Sequence, residues 1–320
     1  MTMANPWYKE YSEYLAERWP GLKVQKLSVD AGFSCPNRDG TIGSGGCIYC
    51  DNSSFTPGYC NPRQSVAGQL AEGRRFFSRK YPHMKYLAYF QSFTGTHASA
   101  TERLRQLYDE ALAQPDVVGL IIGTRPDSLP ENVMDLLSEI NHRRRVIVEI
   151  GAETSHDATL RRINRRHTWQ DVEDAALRLS KRGIECGLHL IAGLPGESSD
   201  DVLVTVERAC RLPIASIKLH QLQVIRGTIL DRLRRSGEIQ VTPFSIEEYL
   251  DLCVKVVRLI DRRVAIERFL ASAPPEMVEA PRWGLKNYQF TNLLLNRLAE
   301  SSPRSYGQCL SDPDTQRNDN

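Results

Sequence analysis

Short apolar, β-branched runs alternate with amphipathic stretches along the chain, and this alternation limits the fold more than any other sequence feature. Six such runs occur, and stretches of helical periodicity lie between them. The runs cover residues 24–29, 86–91, 117–124, 146–153, 186–193 and 216–225. Strands that alternate with helices usually form a parallel sheet, so the pattern predicts an α/β fold. The nearly continuous apolar run VVGLIIGT (117–124) indicates strands covered on both faces.

Polar segments follow the predicted strands at their carboxyl ends. These segments are SFTGT, GTRPD, GAETS, GLPGE and VIRGT. A (β/α) barrel builds its active site at this end of its strands. Six units are too few to close an eightfold barrel. We therefore predict an open partial (β/α)6 TIM-like barrel, whose lateral gap could admit a large substrate.

The strand and helix pattern divides the 320 residues into four segments. Residues 1–23 form a helical segment and residues 24–240 form the barrel. Residues 241–300 read as a small C-terminal α/β extension, with a long helix, a short strand and a final helix. The polar, turn-rich residues 301–320 are expected to be a disordered tail.

The charge balance bounds the possible partners. The 41 basic and 39 acidic side chains leave a formal charge of +2, which argues against binding nucleic acid through the overall charge. A local basic patch could still bind a folded RNA, and basic clusters occur at residues 142–145, 161–167, 232–237 and 262–263. No run is long enough for a membrane span, and the amino end lacks a signal sequence. We expect a cytoplasmic protein with no membrane partner.

Three cysteines lie in one glycine-rich stretch directly after the first predicted strand. Cys35, Cys47 and Cys50 have the spacing C-x11-C-x2-C. In a reducing compartment, clustered thiols are usually metal ligands or catalysts. The spacing leaves both an iron–sulfur cluster and zinc open, although a structural zinc normally has four ligands and the loop contains no histidine. Three thiolates would leave one iron of a 4Fe–4S cubane open to another ligand at the barrel mouth.

Seven stretches between Val29 and about Trp283 carry a resemblance to a known family. They are VDAGFSCPNRDGTIGSGGCIYC, YFQSFTGT, IIGTRPDSLP, INRRH, LIAGLPGE, IKLHQLQVIRGT and APPEMVEAPRW. In this order they resemble a radical S-adenosylmethionine (SAM) protein of the YhcC/YtqA-like family, itself similar to the radical domain of the elongator catalytic subunit. The resemblance implies a 4Fe–4S cluster on Cys35, Cys47 and Cys50, SAM as the second cofactor, and flavodoxin or ferredoxin as electron donor.

The resemblance also implies residues that contact SAM. Tyr49 corresponds to an aromatic residue near the adenine. Gln91 and Ser92 end the second strand, where the superfamily often has a G-G-E-like segment near the methionine amino group. Glu153 and Thr154 match a G-x-Q-[ST] segment near the ribose, with glutamate in place of glutamine.

Two further segments complete the implied SAM site. Arg165 could pair with the cofactor carboxylate. It belongs to an N-R-G-H-like segment, in which Arg166 replaces the glycine. Gly193 and Leu194 belong to the turn that approaches the adenine; an ordinary tight turn is the alternative.

Three residues on the fifth and sixth strands are candidate catalytic or substrate-contacting groups. They are His189, Lys218 and His220. On the fourth strand, Glu149 and Glu153 share one face with Ile147 and Gly151, so two carboxylates should point into the barrel. Carboxylates in a barrel interior need a partner or a ligand. An inward salt bridge with Lys218 or Arg125 is the alternative to a cofactor contact.

By resemblance, the implied substrate is transfer RNA. The implied reaction trims the carboxymethylaminomethyl group at C5 of the wobble uridine to aminomethyl, with the radical generated by cleavage of SAM. Two alternatives stay open. One is a radical SAM enzyme that acts on a small metabolite, and the other is a zinc-binding barrel protein.

Overall fold

The computed structural model describes residues 5–78 and 83–301. The predicted disordered tail, apart from Ser301, lies outside the described residues. The strands are β1 (Lys9–Glu10), β2 (Val24–Val29), β3 (Lys85–Phe90), β4 (Val117–Thr124), β5 (Val146–Glu153), β6 (Glu185–Ala192), β7 (Ser216–Gln221), β8 (Val224–Ile225), β9 (Ala265–Ile266) and β10 (Val278–Ala280). The helices are α1 (Tyr11–Arg18), α2 (Val66–Ser78), α3 (Thr101–Leu112), α4 (Glu131–Arg143), α5 (Asp157–Arg162), α6 (Trp169–Lys181), α7 (Ser199–Cys210), α8 (Ile229–Ser236), α9 (Ile246–Leu259) and α10 (Asn287–Glu300).

Eight parallel strands form one curled sheet in the order β1-β9-β7-β6-β5-β4-β3-β2. The six strands from β2 to β7 are the six predicted units. Within the described residues the two outer strands, β1 and β2, do not pair with each other, so the sheet stays open. The predicted open partial barrel is confirmed. The short strand β9 of the C-terminal extension lies in the same sheet, beside β7.

The sixth predicted strand is wrong at its end. The prediction ran from residue 216 to residue 225, but β7 ends at Gln221 and the chain then leaves the main sheet. The next strand, β8, pairs antiparallel with β10 in a separate two-stranded sheet. Val224 is fully buried in an apolar cluster under the cysteine loop. The apolar run therefore extends past the end of β7 into β8, which pairs with a different strand.

The two faces of the sheet are both covered, by different parts of the chain. Outward side chains such as Val148 and Ile150 pack in the main core with residues of the surrounding helices. Inward side chains at the amino ends of the strands, such as Ile147, pack against Tyr11 and Tyr14 of α1. Helix α1 thus closes one end of the barrel, and the carboxyl ends of the strands are left for a site.

Several α-helices begin with a side-chain cap. Thr168, Ser198 and Ser245 each accept a hydrogen bond from the backbone N–H three residues later, and the acidic residue there bonds back to the cap. No helix in the described part of the chain is both long and apolar enough to cross a membrane.

Candidate active site

The three clustered cysteines lie on the long loop between β2 and α2. The backbone carbonyl of Cys35 accepts hydrogen bonds from the N–H groups of Arg38 and Asp39 at 2.7 and 3.1 Å, and the N–H of Cys50 donates to the carbonyl of Cys47 at 3.0 Å. Gly46 has a φ of 76°, and a Cβ there would lie 2.8 Å from the Arg38 side chain. The glycine-rich sequence is needed for this compact turn.

The loop covers the mouth of a cavity of about 420 Å³ that extends into the barrel. Most of the predicted site residues line this cavity together. They are Cys35, Cys47, Tyr49, Cys50, Gln91, Glu153, Arg165, His189, Lys218 and His220. The structure therefore brings residues of six separate chain segments to one space, as expected for the carboxyl ends of parallel strands.

Four predicted SAM-contacting residues do not line the cavity. The Ser92 hydroxyl lies 3.4 Å from that of Thr56, and the Thr154 hydroxyl donates to Glu197 at 2.6 Å. Leu194 is buried with Ile48 in the apolar cluster that supports the cysteine loop. Gly193 has a φ of 86°, and a Cβ there would approach Phe244 at 3.1 Å. These positions end strands or form turns. The side chains of Ser92, Thr154 and Leu194 contact other neighbours, and Gly193 has no side chain.

Arg165 connects the cysteine loop to the barrel wall. Its Nη1 lies 3.6 Å from Cys47 Sγ, and its Nη2 donates to the Gly151 carbonyl at 2.6 Å. The same Nη2 lies 3.3 Å from Glu153 Oε1, so Glu153 pairs with Arg165 and not with the suggested Lys218 or Arg125. Burial lowers the pKa of Arg165, but the neighbouring Cys47 and Glu153 outweigh this effect and raise the pKa above its ordinary value.

His167 holds the Arg165 side chain from behind. Arg165 Nε donates to His167 Nε2 at 3.0 Å. Burial, together with the charge of Arg165, lowers the pKa of His167 to about 3, so the ring is neutral. Its Nδ1–H then donates to the Thr168 carbonyl at 3.1 Å. Arg166 has a φ of 67°, the left-handed conformation that the family's glycine would adopt without strain.

The chemistry of the cysteine loop fits a metal cluster. Burial and the neighbouring Cys47 raise the pKa of Cys50 to about 11, so its thiolate requires a bound cation. Asn37 Nδ2 lies 3.8 Å from Cys47 Sγ, which adds a second polar donor besides Arg165. Among the described residues, no three His, Cys, Asp or Glu side chains are arranged to hold a single metal ion. The cysteines of an iron–sulfur cubane each bind a different iron.

Two polar groups of the cavity wall have no hydrogen-bond partner among the residues that the structure describes. They are the Thr94 hydroxyl and Nη1 of Arg125, and both are buried. The remaining nitrogens of Arg125 bond to Asp127 and to the Arg165 carbonyl. Buried polar groups are normally paired, so these two fit a polar ligand in the cavity. The sequence interpretation named Arg125 only as an ion-pair partner and missed Thr94.

Four charged side chains meet in the interior of the barrel. Lys26 pairs with Glu149 and lies 2.5 Å from Glu267, while Lys218 lies 3.6 and 3.2 Å from the same two carboxylates. The sequence interpretation suggested Lys218 as a partner of Glu153, but Lys218 pairs with Glu149 and Glu267 instead. Burial raises the pKa of Glu149, but the charges of Lys26 and Lys218 outweigh this effect and hold the pKa well below its ordinary value. Burial lowers the pKa of Lys218 to about 8.

Two histidines lie next to these charges. His189 Nε2 is 2.7 Å from Glu149, and its ring stacks at 6.1 Å on that of His220. Arg268 Nε donates to His220 Nε2 at 3.3 Å. Burial and the Arg268 charge lower the pKa of His220 well below its ordinary value, so its ring is neutral. The sequence interpretation missed Arg268, because it follows a two-residue strand that carries no polar motif.

Comparison with known proteins identifies the family. Residues 38–209 match the family model of the radical SAM superfamily, which is more than half of the chain. The chain belongs to the radical SAM superfamily. Residues 214–300 match the radical SAM C-terminal domain. The chain is 39% identical to protein YhcC of Escherichia coli over 82% of this chain and 83% of that protein. The predicted resemblance is confirmed.

Two further proteins are similar to this chain. A tRNA uridine(34) acetyltransferase of Dehalococcoides mccartyi is 27% identical over 62% of this chain and 42% of that protein. The structure of the archaeal Elp3 of Methanocaldococcus infernus has a TM-score of 0.62 at 16% identity and covers 87% of this chain and 63% of that one. This structural likeness shows the shared fold.

As a radical SAM protein, the chain is an enzyme that uses a 4Fe–4S cluster and SAM. When bound and reduced, these cofactors supply a 5′-deoxyadenosyl radical, formed as SAM is cleaved to methionine. The protein residues bind and orient the reactants and exclude water from them.

Proposed function

We propose that this radical SAM enzyme modifies tRNA at the C5 side chain of the wobble uridine, converting carboxymethylaminomethyl to aminomethyl. The carboxymethyl methylene would lose a hydrogen atom to the 5′-deoxyadenosyl radical and one electron to the oxidised cluster, and water would hydrolyse the resulting imine to the aminomethyl group and glyoxylate. The observation that carries the proposal is an open groove of about 830 Å³ that joins the cavity. Arg38, Cys50 and Phe93 line both the groove and the cavity, and Arg226 lines the groove further out. A nucleotide could enter the cavity from this groove while the rest of the RNA stays outside.

Within this proposal, Cys35, Cys47 and Cys50 hold the cluster. Arg165 and Asn37 place polar hydrogens near Cys47 and limit the movement of the loop. The unpaired donors of Thr94 and Arg125 supply hydrogen bonds for SAM, and Tyr49 supplies an aromatic surface for it. Gln91, whose side chain accepts from the Ser28 hydroxyl at 3.1 Å, lines the same wall. The catalytic or substrate-contacting roles of His189, Lys218 and His220 remain part of the proposal.

A surplus of arginine around Arg226, which lines the groove, supports an RNA substrate. Arg226, Arg235 and Arg282 have side chains that are 60, 55 and 60% exposed, and all three lie within 3.4 Å of one carboxylate, Glu279. Arg235 also lies 2.9 Å from Asp231, which in turn lies 3.8 Å from Arg234. Two carboxylates therefore face four guanidinium groups, so this surface carries positive charge. Arginine is suited to bind phosphates. We refer to Arg226, Arg235 and Arg282 as the rim arginines.

The four basic clusters of the sequence fall at opposite ends of the barrel. Residues 161–167 and 232–237 follow β5 and β8, at the end where the cysteine loop lies. Residues 142–145 and 262–263 precede β5 and β9 and lie at the other end. Asn164, in the cluster of residues 161–167, donates to the Gly46 carbonyl at 2.8 Å. Two clusters can therefore face an RNA at the groove, and the other two cannot.

Two relatives support the substrate class. The D. mccartyi relative acts on tRNA uridine 34 by name, and the elongator-like fold extends over most of this chain. This chain aligns with less than half of that acetyltransferase, so the two proteins need not catalyse the same reaction. A flavodoxin or ferredoxin is the proposed electron donor.

The test is SAM cleavage by the anaerobically reconstituted protein under reduction, with and without total tRNA from a strain that lacks the gene. We expect 5′-deoxyadenosine in both, increased by the tRNA, and aminomethyluridine in the treated tRNA. Unchanged wobble uridines, both in this tRNA and between deletion and parent strains, would favour a small-metabolite substrate. Zinc without labile sulfide would favour the zinc-binding alternative.

A further inference from the structure

We propose that Arg268, at the inner end of the cavity, is the receptor for a carboxylate group of the substrate. That this carboxylate belongs to a modified uridine rests on the proposed function. The receptor itself is inferred from charge balance, geometry and placement.

The charges inside the barrel balance except for one. Lys26 and Lys218 are each within 3.6 Å of both Glu149 and Glu267, so two cations face two anions. His220 is neutral and therefore adds no charge. Arg268 is the remaining cation of this group. Since a charge in a partly buried site normally needs a counter-charge, the interior has room for one added negative charge.

Arg268 has donors to spare. Its Nε donates to His220 at 3.3 Å. Within the described residues, no Asp or Glu oxygen lies within 4.0 Å of its nitrogens. The side chain is half-buried and lines the cavity together with Ser272. The two terminal amino groups of the guanidinium are therefore available to a ligand in the cavity.

A carboxylate is the ligand that matches this group best. A guanidinium donates two parallel hydrogen bonds to a carboxylate, a planar match that an ammonium group cannot make. Lys218 is less suited, because two carboxylates already hold it. His220 acts as a positioning residue, since its bond to Nε fixes the plane of the guanidinium.

The position of Arg268 connects the receptor to the chemistry. Arg268 and the three clustered cysteines line the same cavity. A carboxylate held by Arg268 would therefore keep the adjoining carbon of the substrate within the space shared with the cofactors. The carboxymethylaminomethyl group ends in such a carboxylate, and the aminomethyl product has none. The receptor would thus bind the substrate and release the product.

The test measures binding to the anaerobically reconstituted enzyme by calorimetry. The probes are an anticodon stem–loop with carboxymethylaminomethyluridine at the wobble position, the same stem–loop with the methyl ester, N-benzylglycine and inorganic phosphate. We expect the acid stem–loop to bind about ten- to a hundredfold more tightly than the ester, because a charged hydrogen-bonded pair is lost. Arg268→Gln should abolish this preference, and Arg268→Lys should retain only part of it.

Each outcome decides between the claims. Equal binding of acid and ester, together with N-benzylglycine binding that does not depend on Arg268, overturns the receptor. An unchanged preference in Arg268→Gln of normal iron content overturns it as well. Competition by phosphate as strong as that by N-benzylglycine would also overturn it as a carboxylate site. If N-benzylglycine binding depends on Arg268 but the stem–loops bind without preference, the receptor stands and the tRNA proposal fails. If Arg268→Gln does not fold, Arg268→Lys provides the same comparison.

Discussion

Arg165 contacts Cys47 across 118 positions of sequence, with Nη1 of the arginine 3.6 Å from Sγ of the cysteine. The same guanidinium reaches Glu153 and Gly151 on β5 and is held from behind by His167. A single cation thus joins the cysteine loop, the wall of the cavity and the loop after α5. Removing this cation should change the properties of the cluster more than the stability of the fold.

Arg165→Gln should lower the midpoint potential of the cluster. A nearby positive charge stabilises the more negative reduced form, so its loss should shift the potential downward by several tens of millivolts. An EPR-monitored redox titration measures this shift. The matched control is Arg161→Gln, since Arg161 is exposed on α5. An unchanged potential in Arg165→Gln with a full complement of iron would contradict the electrostatic role.

Replacing any one of Cys35, Cys47 and Cys50 with alanine should remove the cluster. Iron and labile sulfide should fall to a small fraction of the wild-type content, and formation of 5′-deoxyadenosine should cease. Cys60→Ser is the control, because Cys60 lies 3.2 Å from the Ser28 carbonyl and a serine can keep that hydrogen bond. Wild-type iron and sulfide in a Cys47→Ala protein would remove Cys47 from the ligand set.

Glu149→Gln should destabilise the protein strongly. The substitution leaves Lys26 and Lys218 with one carboxylate between them in the barrel interior. Breaking a buried pair costs about 3–5 kcal/mol, because the remaining charge is uncompensated. Urea unfolding gives the free energy. The control Glu131→Gln removes an exposed carboxylate that pairs with Arg178, and it should change stability little. Equal effects of the two substitutions would contradict this account of the interior.

His167 should make the stability depend on pH. Its pKa is about 3 in the folded protein against an ordinary 6.5, so between these values the unfolded chain binds a proton that the folded chain does not. The contribution of His167 to the free energy of unfolding is therefore fully present above pH 6.5. It decreases as the pH falls below 6.5, by up to about 1.4 kcal/mol per pH unit. In His167→Gln this contribution should be absent. Urea unfolding of both proteins at about pH 5 and pH 7 measures the difference, and parallel pH dependences would refute it.

The rim arginines should determine how tRNA affinity depends on salt. Replacing Arg226, Arg235 and Arg282 with glutamine should reduce the slope of log affinity against log salt by about two to three, since each lost phosphate contact contributes somewhat less than one. Filter binding over a range of salt concentrations measures this slope. The control replaces Arg143, Arg144 and Arg263, which are exposed at the opposite end of the barrel. A slope reduced equally by both triple variants would place the RNA elsewhere.

Much of the barrel could be predicted because its signals are local. Each apolar run carries its own strand propensity, and the alternation along β5 correctly assigned Ile147 and Glu149 to the inner face. The cysteine spacing and the glycines around it are local as well. The end of β7 was predicted wrongly, since an apolar run does not reveal that Val224 pairs with β10 instead of continuing the sheet.

The partners of the interior charges could not be predicted. Lys26 and Glu267 are separated by 241 positions, and they meet because β9 is inserted beside β7. The surplus charge of Arg268 follows from those pairings and is invisible without them. The sequence by itself determined the strand–helix repeat, the cysteine loop and the family, since these depend on neighbouring residues. Only the tertiary structure decided which charges are neutralised and which donors are free, because strand order brings distant side chains within a few ångströms of each other.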